Sequence, residues 1–162
     1  MVTKKLIAVL CIGALTQAVL FSALAARTVP RSPGVLLAPQ ATTLIINEYL
    51  ADPPDGLPGD ANGDGTRDAA QDEFVELVNS GAVPLDIGLF TVSDATQVRF
   101  TVPAGKIIPA GEAAVVFGGG TPTGAFGNAT ANGLVFVAGA GGLSLNNGGD
   151  TITIKDLSLI HI

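Results

Sequence analysis

The chain has 162 residues, which is enough for a single domain that buries its own core. Beyond residue 26 it is rich in Gly, Pro, Thr, Val, Ala and Asn, and it contains no Trp, so short strands joined by tight turns are favoured over long helices. With 14 acidic residues against 8 basic ones, the net charge is −6, and we expect no binding to nucleic acid because such a surface repels phosphate backbones.

The N-terminal stretch has the organisation of a secretion signal. Lys4 and Lys5 supply positive charge before an apolar run that ends in the small-x-small pattern of Ala23-Leu24-Ala25-Ala26. The sequence therefore predicts a helical signal peptide over 1–26, cleaved after Ala25 or Ala26, and a secreted or cell-surface protein. The alternative is an uncleaved anchor, since about 20 apolar residues just span a bilayer; a membrane contact is expected only in that case.

The remainder of the chain divides into a linker and a β domain. Residues 27–41 hold three prolines and no alternating pattern, which is typical of a Pro-rich linker. Residues 42–156 contain short strand-like segments separated by turn signals, and they predict an all-β domain with a β-sandwich architecture. The predicted strands are 42–50, 73–79, 83–86, 89–93, 97–102, 113–117, 134–138 and 151–155.

Alternation within these segments predicts which side chains form the core. Val75, Leu77 and Asn79 share one face of the second predicted strand, and the fifth places Val98, Phe100 and Val102 together. The glycine run 118–120 has no helix after it, so it is interpreted as a hairpin turn and not as a phosphate-binding loop.

Seven runs between about residue 43 and residue 156 follow one another in the order of a known domain family. They are Ile46-Asn47-Glu48, Asp72-Glu73-Phe74-Val75-Glu76-Leu77-Val78-Asn79, Val83-Pro84-Leu85-Asp86-Ile87, Leu89-Phe90-Thr91-Val92-Ser93-Asp94, Phe100-Thr101-Val102-Pro103-Ala104-Gly105, Ile108-Pro109-Ala110-Gly111 and Leu143-Ser144-Leu145-Asn146-Asn147-Gly148-Gly149-Asp150. In sequence and in order these runs resemble the lamin-tail domain family, and the resemblance implies an immunoglobulin-like β-sandwich of the exported bacterial or archaeal branch. Phe90 stands where the family usually has a core Trp.

The end of the chain departs from this family. Members continue with at least one further strand after the position of Asp156, whereas residues 157–162 read Leu-Ser-Leu-Ile-His-Ile and lack the expected turn. Residues 157–162 are therefore interpreted as a truncated end, or as read-through into vector or adapter sequence, and the chain as a fragment.

Acidic residues are concentrated in one loop that resembles a calcium-binding loop. Nine of the fourteen lie between Glu48 and Glu76, and residues 60–68 follow the pattern D-x-N-x-D-G. The usual bidentate carboxylate is replaced by Gln71, and no flanking helices are expected, so the alternative is a solvated acidic loop without a ligand. The predicted metal ligands, for a structural Ca²⁺ ion, are Asp60, Asn62, Asp64, the carbonyl group of Thr66, Asp68 and the next carboxylate, Asp72.

The sequence offers no catalytic constellation, so no catalytic residue is predicted and the protein is not expected to be an enzyme. The sole Cys and His lie at positions 11 and 161, and outside the loop only Glu48 and Glu76 are plausible contributors to acid–base chemistry. The expected function is an exported module for adhesion, surface association or domain attachment, with an unidentified protein or cell-surface ligand as its partner. The alternative is the accessory domain of a larger secreted hydrolase of the nuclease or phosphoesterase type.

Overall fold

The structure, a computed structural model, describes residues 43–156. The predicted signal peptide of residues 1–26, the predicted Pro-rich linker of residues 27–41 and residues 157–162 lie outside the described residues. Within residues 43–156, no helix is long and apolar enough to cross a membrane.

The regular elements of the described residues are nine strands and one turn of 3-10 helix. This composition confirms the predicted all-β, immunoglobulin-like sandwich. Most strands are slightly shorter than predicted, and β6 was not predicted. The 3-10 helix covers Leu57–Gly59. The strands are β1 Leu44–Leu50, β2 Phe74–Asn79, β3 Leu85–Asp86, β4 Thr91–Ser93, β5 Val98–Thr101, β6 Ile107–Ile108, β7 Ala113–Phe117, β8 Val135–Val137 and β9 Thr153–Lys155.

The strands form three sheets. The largest has the order β1-β2-β7-β8, the second has the order β5-β4-β9, and β3 pairs with β6. β1 and β2 are antiparallel, with a bulge between Ile46 and Glu48, whereas β7 and β8 are parallel. A parallel pair needs a crossover connection. The glycine run after β7 therefore does not form the hairpin turn that the sequence suggested.

β2 behaves as the alternation predicts, because it lies between two partner strands. Val75, Leu77 and Asn79 are at most 1 % exposed, which confirms the predicted face. In β5 the prediction is wrong for Val98, which is 54 % exposed. β5 is an edge strand, and its pairing with β4 shifts register beside Ser93, the partner of Val98.

The crossover from β7 to β8 builds a second layer of core. Val116 and Phe117 point to opposite faces of β7, yet both are at most 1 % exposed. The ring of Phe126, within the crossover, packs against Phe117 with centroids 4.9 Å apart, and Ala129 is fully buried. The crossover is therefore packed against the sheet, which fixes the position of its first residues beside the acidic loop.

Candidate functional site

The acidic loop, residues 60–72, lies between the 3-10 helix and β2. Its side chains fold back on its own main chain: the N–H of Gly65 donates to Asp60 Oδ2 at 2.9 Å, that of Asp64 to Asn62 Oδ1 at 2.9 Å, and that of Thr66 to Asp64 Oδ1 at 3.0 Å. Gly65 adopts φ 92°, a conformation that favours glycine. The first three predicted ligands are thus brought into one tightly wound turn.

Asp72 anchors this turn from the inside. Its side chain is fully buried, Oδ1 accepts a hydrogen bond from the N–H of Asn62 at 3.0 Å, and Oδ2 accepts one from the N–H of Asp68 at 2.7 Å. The predicted ligand Asp72 is therefore placed as a brace that joins the two ends of the loop.

Asp68 and Thr66 lie nearer the surface. Asp68 Oδ1 accepts hydrogen bonds from the N–H groups of Gln71 and Ala70, both at 2.9 Å. These two bonds hold the pKa of Asp68 below its ordinary value. Gln71 and Thr66 are exposed, so the position that normally supplies a bidentate carboxylate presents an amide to solvent.

A second segment, the glycine segment of residues 118–123, closes over the acidic loop. The N–H of Thr121 donates to Asp64 Oδ2 at 3.2 Å, the Asn62 amide donates to the carbonyl of Gly119 at 3.3 Å, and the N–H of Thr123 donates to the carbonyl of Asn62 at 2.8 Å. Sequence reasoning missed this contact. Its only local signal was the run of glycines, because a Cβ at Gly120 would collide with Asn62 and Asp64.

Asp60 carries the least satisfied polar atom of the loop. Within residues 43–156, its Oδ1 atom is buried and has no hydrogen-bond partner, although Oδ2 accepts the N–H of Gly65. A buried carboxylate oxygen without a donor is costly. A cation beside Oδ1 would remove that cost.

The loop's own base makes its hydrogen bonds and its ion pair outside the loop. Arg67 donates from its guanidinium to the carbonyl oxygens of Pro53 and Pro54, and its ion pair is with Asp55 at 3.7 Å, outside the loop. No group of three or more His, Cys, Asp or Glu side chains in residues 43–156 is arranged to hold a metal ion. A cation here would need amide and main-chain oxygens as well, which suits calcium and not zinc.

Glu48 and Glu76, the two candidate carboxylates outside the acidic loop, lie on neighbouring strands of the largest sheet. Glu48 lies directly opposite Glu76 in the β1–β2 register, and the Asn47 amide donates to Glu76 Oε1 at 2.6 Å. Residues 43–156 contain neither His nor Cys. Two carboxylates on an exposed surface, without a nucleophile or a partner base, offer no arrangement for acid–base catalysis.

Comparison with known proteins agrees with this fold. The family model of the Lamin Tail Domain matches residues 38–158, which is most of the chain. No curated protein matches the chain. Lamin tail domains are non-enzymatic immunoglobulin-like domains, and the sandwich described above agrees with that fold. The chain belongs to the lamin tail domain family.

Proposed function

We propose that this lamin tail domain is a non-catalytic module, exported as in the bacterial and archaeal branch of the family, and that it serves adhesion, surface association or attachment of a neighbouring domain. Its partner would be a protein or a cell-surface ligand. We further propose that the acidic loop binds a structural Ca²⁺ ion, with ligands drawn from Asp60, Asn62, Asp64 and the Thr66 carbonyl.

The unpartnered Oδ1 atom of Asp60 is the observation that carries the calcium proposal. Asp60 Oδ1 is the single buried side-chain N or O atom without a hydrogen-bond partner in the part of the chain that the structure describes, so it stands out in this turn. Each neighbouring oxygen of Asn62 and Asp64 accepts one N–H and retains lone-pair capacity for a cation. Calcium takes six to eight oxygen ligands in flexible geometry, and solvent would complete the set.

Calcium in the loop would also stabilise the domain beyond the loop. Asn62 and Asp64 both contact the glycine segment, which begins the crossover packed on β7. An ion that orders these side chains therefore orders two segments that are distant in sequence. A ligand that binds only the folded state, present at 100 times its Kd, adds about 2.7 kcal/mol to the free energy of unfolding.

Thermal unfolding with and without calcium tests this proposal. We expect the Tm of the full chain to rise with added calcium, in comparison with a chelator at matched ionic strength. The double variant Asp60→Ala/Asp64→Ala should lose the rise. Asp52→Ala/Asp55→Ala, which removes two exposed acids outside the loop, is the matched control and should keep it. Equal calcium responses in the two double variants would refute a loop-bound ion.

Export and surface association are tested in cells. The full gene, expressed in a bacterial host with a C-terminal tag, should yield a cell-surface or medium fraction whose N-terminus is Ala26 or Arg27. Recovery of intact Met1 in the membrane would indicate an anchor, and recovery in the cytoplasm would refute export. Surface retention that survives deletion of residues 43–156 would refute attachment through this domain.

A further inference from the structure

Asn62 is the most deeply buried of the four residues proposed above as calcium ligands. It is fully buried, whereas Asp60 and Asp64 are half-buried and Thr66 is exposed. The glycine segment encloses it, since the Asn62 amide bonds to a carbonyl that is 57 positions further along the chain. The surroundings of this ligand are therefore built by a segment outside the acidic loop.

Two hydrogen bonds fix the direction in which the side-chain amide of Asn62 points. Nδ2 donates to the carbonyl of Gly119 at 3.3 Å, and Oδ1 accepts the N–H of Asp64 at 2.9 Å. A carbonyl only accepts and an N–H only donates, so the flipped amide would lose both bonds. Oδ1 is thus held inside the turn, where a cation would bind it, and the NH₂ group, which would repel a cation, is directed toward the glycine segment.

The glycine segment also restrains Asp64. The N–H of Thr121 donates to Asp64 Oδ2 at 3.2 Å, while Oδ1 accepts the N–H of Thr66 at 3.0 Å. Each carboxylate oxygen therefore has its own main-chain donor, and one of the two donors belongs to the other segment. Rotation of the carboxylate would break at least one of these bonds.

Thr123 joins the two segments at a third point. Its hydroxyl donates to the carbonyl of Gly63, and its N–H donates to the carbonyl of Asn62 at 2.8 Å. The crossover that follows is packed on β7 through the rings of Phe126 and Phe117. The glycine segment is therefore supported by the sheet, and its position does not depend on an ion.

From these contacts we propose that the glycine segment positions the calcium ligands. It holds the oxygens of Asn62 and Asp64 in the orientation that binds the ion, and it thereby sets the affinity of the site. The proposal rests on the proposed calcium binding and deepens it, because it names the residues outside the loop that control the ion. A side chain that must be ordered on binding costs free energy, so ligands that are already held bind more tightly.

Calorimetric titration of calcium chloride into the purified full chain tests this role. Gly120→Ala should weaken the Kd about tenfold or more, because the added Cβ collides with both Asn62 and Asp64 and displaces them. Gly111→Ala is the matched control: its φ of 74° is close to the 75° of Gly120, but no described heavy atom lies within 4 Å of its Cβ. The control should leave the Kd unchanged.

Thr123 supplies a second pair of variants that keeps every glycine. Thr123→Val removes the hydroxyl that donates to Gly63 while preserving the shape of the side chain, and it should weaken the Kd severalfold. Thr123→Ser keeps the hydroxyl and should recover most of the affinity. Thermal melts in chelator show whether each variant is folded at the titration temperature. A merely structural role would lower the Tm in chelator and leave the Kd of the folded protein unchanged.

Hydrogen exchange gives a readout at the segment itself. The N–H groups of Thr121 and Thr123 donate to the acidic loop, so in wild type they should exchange more slowly in calcium than in chelator. Exchange that calcium leaves unchanged at both positions would overturn the proposal.

The titrations separate this proposal from calcium binding itself. Equal Kd values for Gly120→Ala and Gly111→Ala would overturn the positioning role and leave the calcium site standing. If Gly120→Ala does not fold, equal Kd values for Thr123→Val and wild type would have the same meaning. A wild-type chain that binds no calcium would refute the proposed site and, with it, the positioning role.

Discussion

The side chain of Asp64 accepts a hydrogen bond from the main-chain N–H of Thr121, which lies in a different loop, just after β7. Asn62 makes two further connections, through its amide to Gly119 and through its carbonyl to the N–H of Thr123. The acidic loop and the glycine segment therefore form one structural unit. A change that separates them should affect both.

Gly120→Ala tests the contact between the two loops. A Cβ at Gly120 would lie 2.6 Å from Asp64 Oδ2 and closer still to Asn62 Nδ2. The loops would have to move apart, and we expect a loss of about 1–3 kcal/mol from steric overlap in addition to about 1 kcal/mol for the left-handed backbone. Urea denaturation followed by circular dichroism measures the free energy of unfolding.

Gly111→Ala separates the two contributions. Gly111 has φ 74°, nearly the same as 75° at Gly120, but no described heavy atom lies within 4 Å of a Cβ built there. This variant should show the backbone cost alone. If the two variants were equally stable, the packing of the glycine segment on the acidic loop would not contribute to stability.

Asp72→Asn tests the brace inside the acidic loop. An amide offers one acceptor oxygen where the carboxylate of Asp72 uses two, so either the N–H of Asn62 or that of Asp68 would lose its partner in a buried site. We expect a loss of about 3 kcal/mol in the free energy of unfolding. Urea denaturation and hydrogen exchange at Asn62 and Asp68 would measure it.

An exposed aspartate provides the comparison. Asp86 accepts a single N–H, that of Gly88, at 2.8 Å, and the amide oxygen of Asp86→Asn can still accept it. This variant should change the free energy of unfolding by less than about 0.5 kcal/mol. A similar loss in the free energy of unfolding for both variants would show that the two hydrogen bonds accepted by the Asp72 carboxylate contribute nothing special.

The sequence predicted the fold correctly where a strand has a partner strand on each side, because its alternating apolar and polar residues then face a buried and a solvent side. β2 has a strand on each side and one buried face, so Val75, Leu77 and Asn79 could be assigned from the pattern alone. Val98 could not, because the same alternation at a sheet edge does not say whether anything covers the strand.

The candidate site was only partly visible in the sequence. The D-x-N-x-D-G pattern located the turn at Asp60, because its ligand spacing is local. The contact with Thr121 joins residues 57 positions apart, which no local pattern encodes. Within β1, the bulge beside Asn47 brings Ile46 and Tyr49 to one face, whereas strict alternation would put them on opposite faces.

Glu73 makes stability fall as pH rises. Burial raises the pKa of Glu73 above its ordinary value, although hydrogen bonds to its charged form, including one from the N–H of Leu145 at 3.1 Å, oppose the rise. The folded state thus holds the proton more tightly than the unfolded chain. The free energy of unfolding should therefore decrease as pH rises through the interval from the ordinary pKa of a glutamate to the raised one.

Glu73→Gln removes this titration while keeping an acceptor for Leu145. We expect the stability of the variant, relative to wild type, to increase as pH rises above the ordinary pKa of a glutamate, about 4.3. Urea denaturation at a series of pH values measures the difference. Glu112→Gln, at a more exposed carboxylate, leaves Glu73 in place and serves as the control. Parallel curves for wild type and Glu73→Gln would contradict the prediction.

Asp94 makes the opposite contribution, at the turn between β4 and β5. Burial alone raises the pKa of Asp94, but hydrogen bonds from the N–H of Gln97, the guanidinium of Arg99 and Thr96 outweigh it and hold the pKa far below the ordinary value. Arg99 Nη2 lies 2.5 Å from Asp94 Oδ2, and both side chains are largely buried. This stabilisation should be fully present above the ordinary pKa of an aspartate and be lost as pH falls below it.

Asp94→Asn should therefore be less stable than wild type at neutral pH and should lose less stability than wild type on acidification from about pH 4 to pH 2. Urea midpoints over this range test both statements.

Arg99→Gln leaves the carboxylate buried without its cation and should also destabilise the hairpin. Because the two side chains act on each other, the double variant should lose less than the two single losses together. Two results would show that the Asp94–Arg99 pair does not govern the acid stability of this domain. One is a double variant whose loss of unfolding free energy equals the sum of the two single losses. The other is an Asp94→Asn variant that loses stability on acidification as steeply as wild type.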